Sequence, residues 1–123
     1  MAKVLVVDDV KELAETTAEL LEVLGHEARV AHDGRQAFEI AQAFEPHVVF
    51  MDLDMPVLDG LQAARLIRAK ISSPPYLVAV TAGARRGMEQ ESLDAGFDQF
   101  LAKPTDVDML LSIVDTAVSR KGR

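Results

Sequence analysis

Three aspartates, a threonine and a lysine stand at comparable places in this 123-residue chain: Asp8-Asp9, Asp52, Thr81 and Lys103 each follow a short apolar run. Each alone has an ordinary explanation. Asp9 could cap a helix, Asp52 a turn; a threonine after valine extends a strand, and a lysine before proline is commonly a solvated charge. Their coincidence asks for more, because carboxylates gathered at one place repel one another unless a cation or a lysine neutralises them. Oxygen donors of this kind suit Mg²⁺, and Mn²⁺ would fit the same set; Mg²⁺ is typically held by one or two carboxylates together with phosphate oxygens. Among them Asp52 is the natural nucleophile, since carboxylates form aspartyl-phosphates and a metal offsets the charge of an anionic donor. Lys103 and Thr81 would then hold phosphoryl oxygens. No serine or cysteine nucleophile competes, and Gly34, Gly60 and Gly83 belong to neither a P-loop nor a dinucleotide fingerprint.

The elements that must position these residues are legible in the hydrophobic pattern. Val4 to Val7, Ala28 to Ala31, Val48 to Met51, Leu77 to Val80 and Phe100 to Ala102 are too short for buried helices and read as five strands. Between them, Val10, Leu13, Thr17, Leu20, Leu21 and Leu24 predict one apolar helical stripe that Gly25 terminates. Ala37, Ile40, Ala41 and Phe44 mark a second helix ending before Pro46. Leu61, Ala64, Ile67 and Arg68 mark a third starting near Asp59. A weaker fourth runs from about Ala84 to Ala95. Val107, Leu110, Leu111, Val114 and Val118 form the fifth, with Asp106 as its cap. This alternation predicts an α/β fold, a (βα)5 doubly wound parallel sheet with helices on both faces. In such sheets ligands bind beyond the carboxyl ends of the strands, where the chemical residues fall. The second strand, ending at His32-Asp33-Gly34, reads as a plain turn.

Composition bounds the function. With 49% apolar and 27% charged residues, the chain is expected to be one domain over residues 1–123, without an output domain of its own. Thirteen basic against twenty acidic residues give a net charge of −7, which disfavours a direct nucleic-acid binder. The absence of cysteine excludes disulfides and thiolate zinc sites. Met1-Ala2-Lys3 opens neither a signal peptide nor a membrane span, so a cytoplasmic protein without membrane insertion is expected.

The motifs Asp8-Asp9, Met51-Asp52-Leu53-Asp54-Met55-Pro56 with Asp59-Gly60, Val80-Thr81-Ala82 and Lys103-Pro104 occur in order along the whole chain. Together they resemble the receiver domain of two-component response regulators, the CheY-like domains. The resemblance implies the flavodoxin-like strand order 2-1-3-4-5 and a phosphorelay function that is enzymatic only toward its own phosphorylation and dephosphorylation. Asp52 would take a phosphoryl group from the phosphohistidine of a sensor histidine kinase or a histidine phosphotransfer protein. Asp9 and Asp52 would ligate Mg²⁺ directly, Asp8 largely through water, and Asp54 through its backbone carbonyl. Thr81 and Lys103 would bind the phosphoryl group, the Lys103-Pro104 bond would be cis, and Phe100 would be a switch aromatic that follows Thr81 inward. Output to a downstream protein target would use the face of the fourth helix, fifth strand and fifth helix, with Arg85, Arg86, Met88, Gln99 and Met109 as exposed contacts. The side chain of Asp54 and the bare backbone of Gly83 leave the lifetime of the phosphorylated state open. A rival reading is a haloacid-dehalogenase-like phosphatase using Asp52 and Asp54, but it leaves Asp8-Asp9 unexplained and the chain is short for it. A flavodoxin-like cofactor carrier fits less well, because two acids stand where a flavin phosphate needs amides and hydroxyls.

Overall fold

The computed structural model describes residues 1–53, 55 and 59–121. Strands and helices alternate: β1 (Lys3–Val7), α1 (Lys11–Val23), β2 (Glu27–Ala31), α2 (Gly34–Phe44), β3 (Val48–Asp52), α3 (Gly60–Lys70), β4 (Tyr76–Thr81), α4 (Met88–Ala95), β5 (Gln99–Ala102) and α5 (Val107–Lys121). All five strands are parallel, in the expected order β2-β1-β3-β4-β5. The three central strands are near-continuous runs of valine and other apolar residues because both of their faces are covered.

Successive strand residues point to opposite faces, so each strand serves two cores. Leu5, Val7, Val49, Met51, Leu77 and Ala79 meet Ala37 and Ala41 of α2, Ala63, Ala64 and Ile67 of α3, and Met88 of α4. Val4, Val6, Val48, Phe50, Val78 and Val80 meet Ala14 and Leu21 of α1 and Leu110, Ile113, Val114 and Ala117 of α5. Three helices therefore cover one side of the sheet and two the other.

The apolar stripe predicted for the first helix is out of phase with the buried face. Ala14, Ala18 and Leu21 are buried, whereas Leu13, Leu20 and Leu24 are exposed by 51%, 37% and 42%. Ala14, Ala18 and Leu21 form the contact line against the sheet, where small side chains let the helix pack closely, and the other leucines sit beside it. In α5 the buried line is Leu110, Ile113, Val114 and Ala117, with Leu111 and Val118 partly buried beside it and Val107 exposed. The fourth helix starts at Met88, not near Ala84, because Gly87 at φ +85° ends the preceding loop. Caps follow residue chemistry: Asp33 accepts from Gln36 N, Asp59 and Gln62 form a capping box, and Asp106 accepts from Met109 N. His32-Asp33-Gly34 is thus a helix start and not a plain turn. No helix among the described residues is long and apolar enough to cross a membrane.

Candidate functional site

Strand register places the chemistry. Val7 pairs with Met51, Asp52 with Val80, and Thr81 with Ala102, so Asp8, Asp52, Thr81 and Lys103 emerge at one edge of the sheet. Asp8, Asp9 and Asp52 each offer an oxygen, and these atoms lie within 4.8 Å of one another. Asp9 does not cap α1, whose N-cap is Val10 with no side-chain bond. Asp8 turns one oxygen to Val10 N at 3.0 Å and the other to Lys103 Nζ at 2.9 Å. Lys103 Nζ lies 3.9 Å from Asp52 Oδ2. Asp8 and Asp52 are only 7% and 8% exposed, so little water screens their repulsion.

Burial lowers the pKa of Lys103, but the hydrogen bond to Asp8 and the charges of Asp52, Asp8 and Asp9 outweigh it and hold the value above the ordinary lysine range. Three carboxylates against one ammonium still leave negative charge in excess. The donor set fits a hard divalent cation, which would balance the remainder through oxygen ligands from Asp8, Asp9 and Asp52.

Thr81 is fully buried, and its Oγ1 accepts from Gly83 N at 3.1 Å, so its hydroxyl belongs to the loop that leads to α4. Lys103 N donates to Thr81 O at 2.8 Å and Leu53 N to Val80 O at 3.1 Å, which ties the ends of the three strands together. The Lys103-Pro104 peptide is cis. A cavity of about 420 Å³ opens beside the carboxylates between Leu13 and Thr17 of α1 and Pro104 and Thr105.

Two contributions escape the sequence reading. Gly60 packs its backbone on the site: a Cβ there would stand 2.7 Å from the carbonyl of Asp52 and 2.9 Å from Leu53 Cα. The Asp59-Gly60 pair after the third strand was its signal. Thr17, read as one member of an apolar stripe, lines the cavity beside Lys103. Asp54 lies outside the described residues. Phe100 is half-buried on β5 and packs against the core beneath α2, α3 and α4.

The expected partner face is only partly open. Arg85, Arg86 and Met109 are exposed, and Arg85 pairs with Glu91 at 2.7 Å. Met88 is not a contact: at the start of α4 it turns into the core and is 7% exposed. Gln99 is half-buried and accepts from Tyr76 Oη.

A doubly wound sheet with this strand order and this acidic edge defines a receiver-type signalling fold. The chain belongs to the response regulator receiver domain family, whose sequence model matches residues 4–115. The transcriptional regulatory protein PdtaR of Mycobacterium tuberculosis is 35% identical over 119 residues, covering 96% of this chain and 57% of that protein. The receiver domain of a Francisella response regulator superposes with a TM-score of 0.88 at 30% identity, covering 98% of this chain and 99% of that one. The receiver domain of a sensor histidine kinase from Pseudomonas aeruginosa, solved with magnesium coordinated in its active-site cleft, gives 0.84 at 32% identity, with 96% and 98% covered. The chain spans about half the length of the curated relatives it matches. These matches set aside the phosphatase reading.

Proposed function

We propose that this chain is a phosphorelay receiver in the cytoplasm, with Asp52 as its phosphoacceptor and residues 1–123 as one signalling module. The observation that carries the reading is the joint placement of Asp8, Asp9, Asp52 and Lys103, with Thr81 at the same edge. A carboxylate oxygen of Asp52 attacks the phosphorus of a phosphohistidine. The new O–P bond forms as the P–N bond breaks, and the imidazole leaves. Mg²⁺ would be held by Asp9 and Asp52 with Asp8, and by the Asp54 carbonyl as the family resemblance implies, and it would supply charge neutralisation for the anionic donor; Mn²⁺ would fit the same donors.

Lys103 moves its hydrogen bond from Asp8 to a phosphoryl oxygen. Thr81, whose Oγ1 accepts from Gly83 N, turns its O–H to donate to the phosphoryl group, which draws the 82–87 loop toward the site. Phe100 then packs inward, and the population shifts between two arrangements of α4, β5 and α5. Arg85, Arg86 and Met109 present that change to a downstream protein. The phosphodonor, a sensor histidine kinase or phosphotransfer protein, docks beside the site, where the exposed Leu13 of α1 lines the open cavity. The site phosphorylates and dephosphorylates only itself, and the net charge of −7 disfavours direct nucleic-acid binding.

Incubation with acetyl phosphate and Mg²⁺, followed by intact mass measurement, tests the reading. Wild type is expected to gain one phosphate and Asp52→Asn none. Equal labelling of both would move the acceptor elsewhere. Sustained Mg²⁺-dependent turnover of a generic phosphate ester would return the phosphatase.

A further inference from the structure

The opposite end of the sheet carries a second polar concavity that phosphorylation at Asp52 does not use. A cavity of about 300 Å³ opens between the end of α3, the 72–75 loop and the end of α5, lined by Arg68, Ser73, Tyr76, Asp98 and Arg120 together with two prolines. Its charged groups are two guanidiniums and one carboxylate, so it is net positive in a chain of net charge −7.

The two arginines are engaged differently. Arg68 is built into the fold: its Nε donates to Gly96 O at 2.7 Å, its Nη2 donates to Asp98 Oδ2 at 2.6 Å, and its stem lies where a Cβ of Gly96 would be. Asp98 Oδ2 also accepts from Leu77 N at 2.8 Å, so this oxygen is spent on the α3 and β4 side, while Oδ1 faces Arg120 as an ion pair. Arg120 stands 3.7 Å from Asp98 Oδ1, beyond hydrogen-bond range, and its guanidinium rests 5.0 Å from the centroid of the Tyr76 ring. That ring is itself pinned by its hydroxyl, which donates to Gln99 at 3.2 Å. Stacking and the long ion pair to Asp98 thus place the Arg120 fork without a hydrogen bond among the described residues, while Arg68 shows two of its five donors engaged.

We propose that this cavity is a binding site for a small molecule bearing a phosphate group, clasped between Arg120 and the outer edge of Arg68. Two guanidiniums held in advance match a tetrahedral dianion better than a single charge does, because forked donors bond two oxygens at once. The pinned ring and prolines reduce the ordering cost of binding. The net negative chain repels anions at long range, so recognition rests on these short contacts and not on a diffuse basic surface. The site is independent of Asp52.

The probe is inorganic phosphate, titrated into the full chain with chelator present and ionic strength held constant with chloride. Side-chain Nε–H signals of Arg68 and Arg120 are followed by NMR. Saturable shifts at both, absent in the chloride control, are expected, and Arg120→Gln should weaken the affinity by about tenfold, the loss of one charge-assisted pair. Arg68 latches three elements, so the exposed Arg120 is the variant of choice, and retained acetyl-phosphate labelling reports that the variant is folded. Shifts that follow chloride equally, or an affinity unchanged in Arg120→Gln, overturn the proposal.

Discussion

Asp9 is the exposed member of a carboxylate cluster whose other two members are buried, and it spends nothing on capping α1. In chelator its charge works against Asp8 and Asp52, so Asp9→Asn is expected to raise the thermal midpoint of the metal-free protein. The same substitution removes a ligand. Added Mg²⁺ should raise the midpoint of wild type, because a ion that binds only the folded state stabilises it, and should leave Asp9→Asn nearly unmoved. Thermal scans with chelator and with excess Mg²⁺ check both outcomes. Lys103 gives the pH dependence. Its folded pKa lies above the ordinary value of 10.5, so its ammonium contributes stability that is fully present below the unfolded value and is lost as pH rises through the folded one. The difference in unfolding free energy between wild type and Lys103→Met, measured in chelator, should therefore stay level up to about pH 10 and shrink above it.

Elements place these residues, and α3 does so through a contact that a methyl group would abolish. Gly60→Ala sets a Cβ 2.7 Å from the Asp52 carbonyl and 2.9 Å from Leu53 Cα, both backbone, so α3 must shift. A cost of about 1–3 kcal/mol in urea unfolding is expected, as for other overpacked sites, with slower labelling by acetyl phosphate. Element identity was legible in the sequence because parallel strands are short apolar runs and their ends carry the chemistry: Asp8, Asp52, Thr81 and Lys103 were all placed correctly at one edge. Helix phase was not. Leu13 and Ala14 are equally compatible with a three-and-four spacing, and only the distance between α1 and the sheet decides that alanine faces inward. Met88 failed for a related reason: a loop that ends at Gly87 with φ +85° starts α4 later than apolar spacing suggests. Contacts made by absent side chains, such as that of Gly60, leave no hydrophobic signal.

At the scale of the molecule, the two poles of the sheet are chemically distinct. The carboxyl ends of the strands gather Asp8, Asp9 and Asp52 around Lys103, while the far end holds the cavity between Arg68 and Arg120. The parallel arrangement produces this separation, since every strand ends at the same pole and every helix returns to the other. The sheet also partitions the interior, and this partition has a thermodynamic consequence. Leu21 and Ile67 are both buried, but one belongs to the core under α1 and α5 and the other to the core under α2, α3 and α4. Leu21→Ala and Ile67→Ala should each cost about 2–5 kcal/mol, and in the double variant the two losses should add to within about 0.5 kcal/mol. Leu21→Ala and Val114→Ala lie in one core, so their losses are expected to depart from additivity by more than that. Double-mutant cycles in urea read the coupling directly. The sheet would then act as an energetic partition, letting either interior accumulate substitutions without the other registering them.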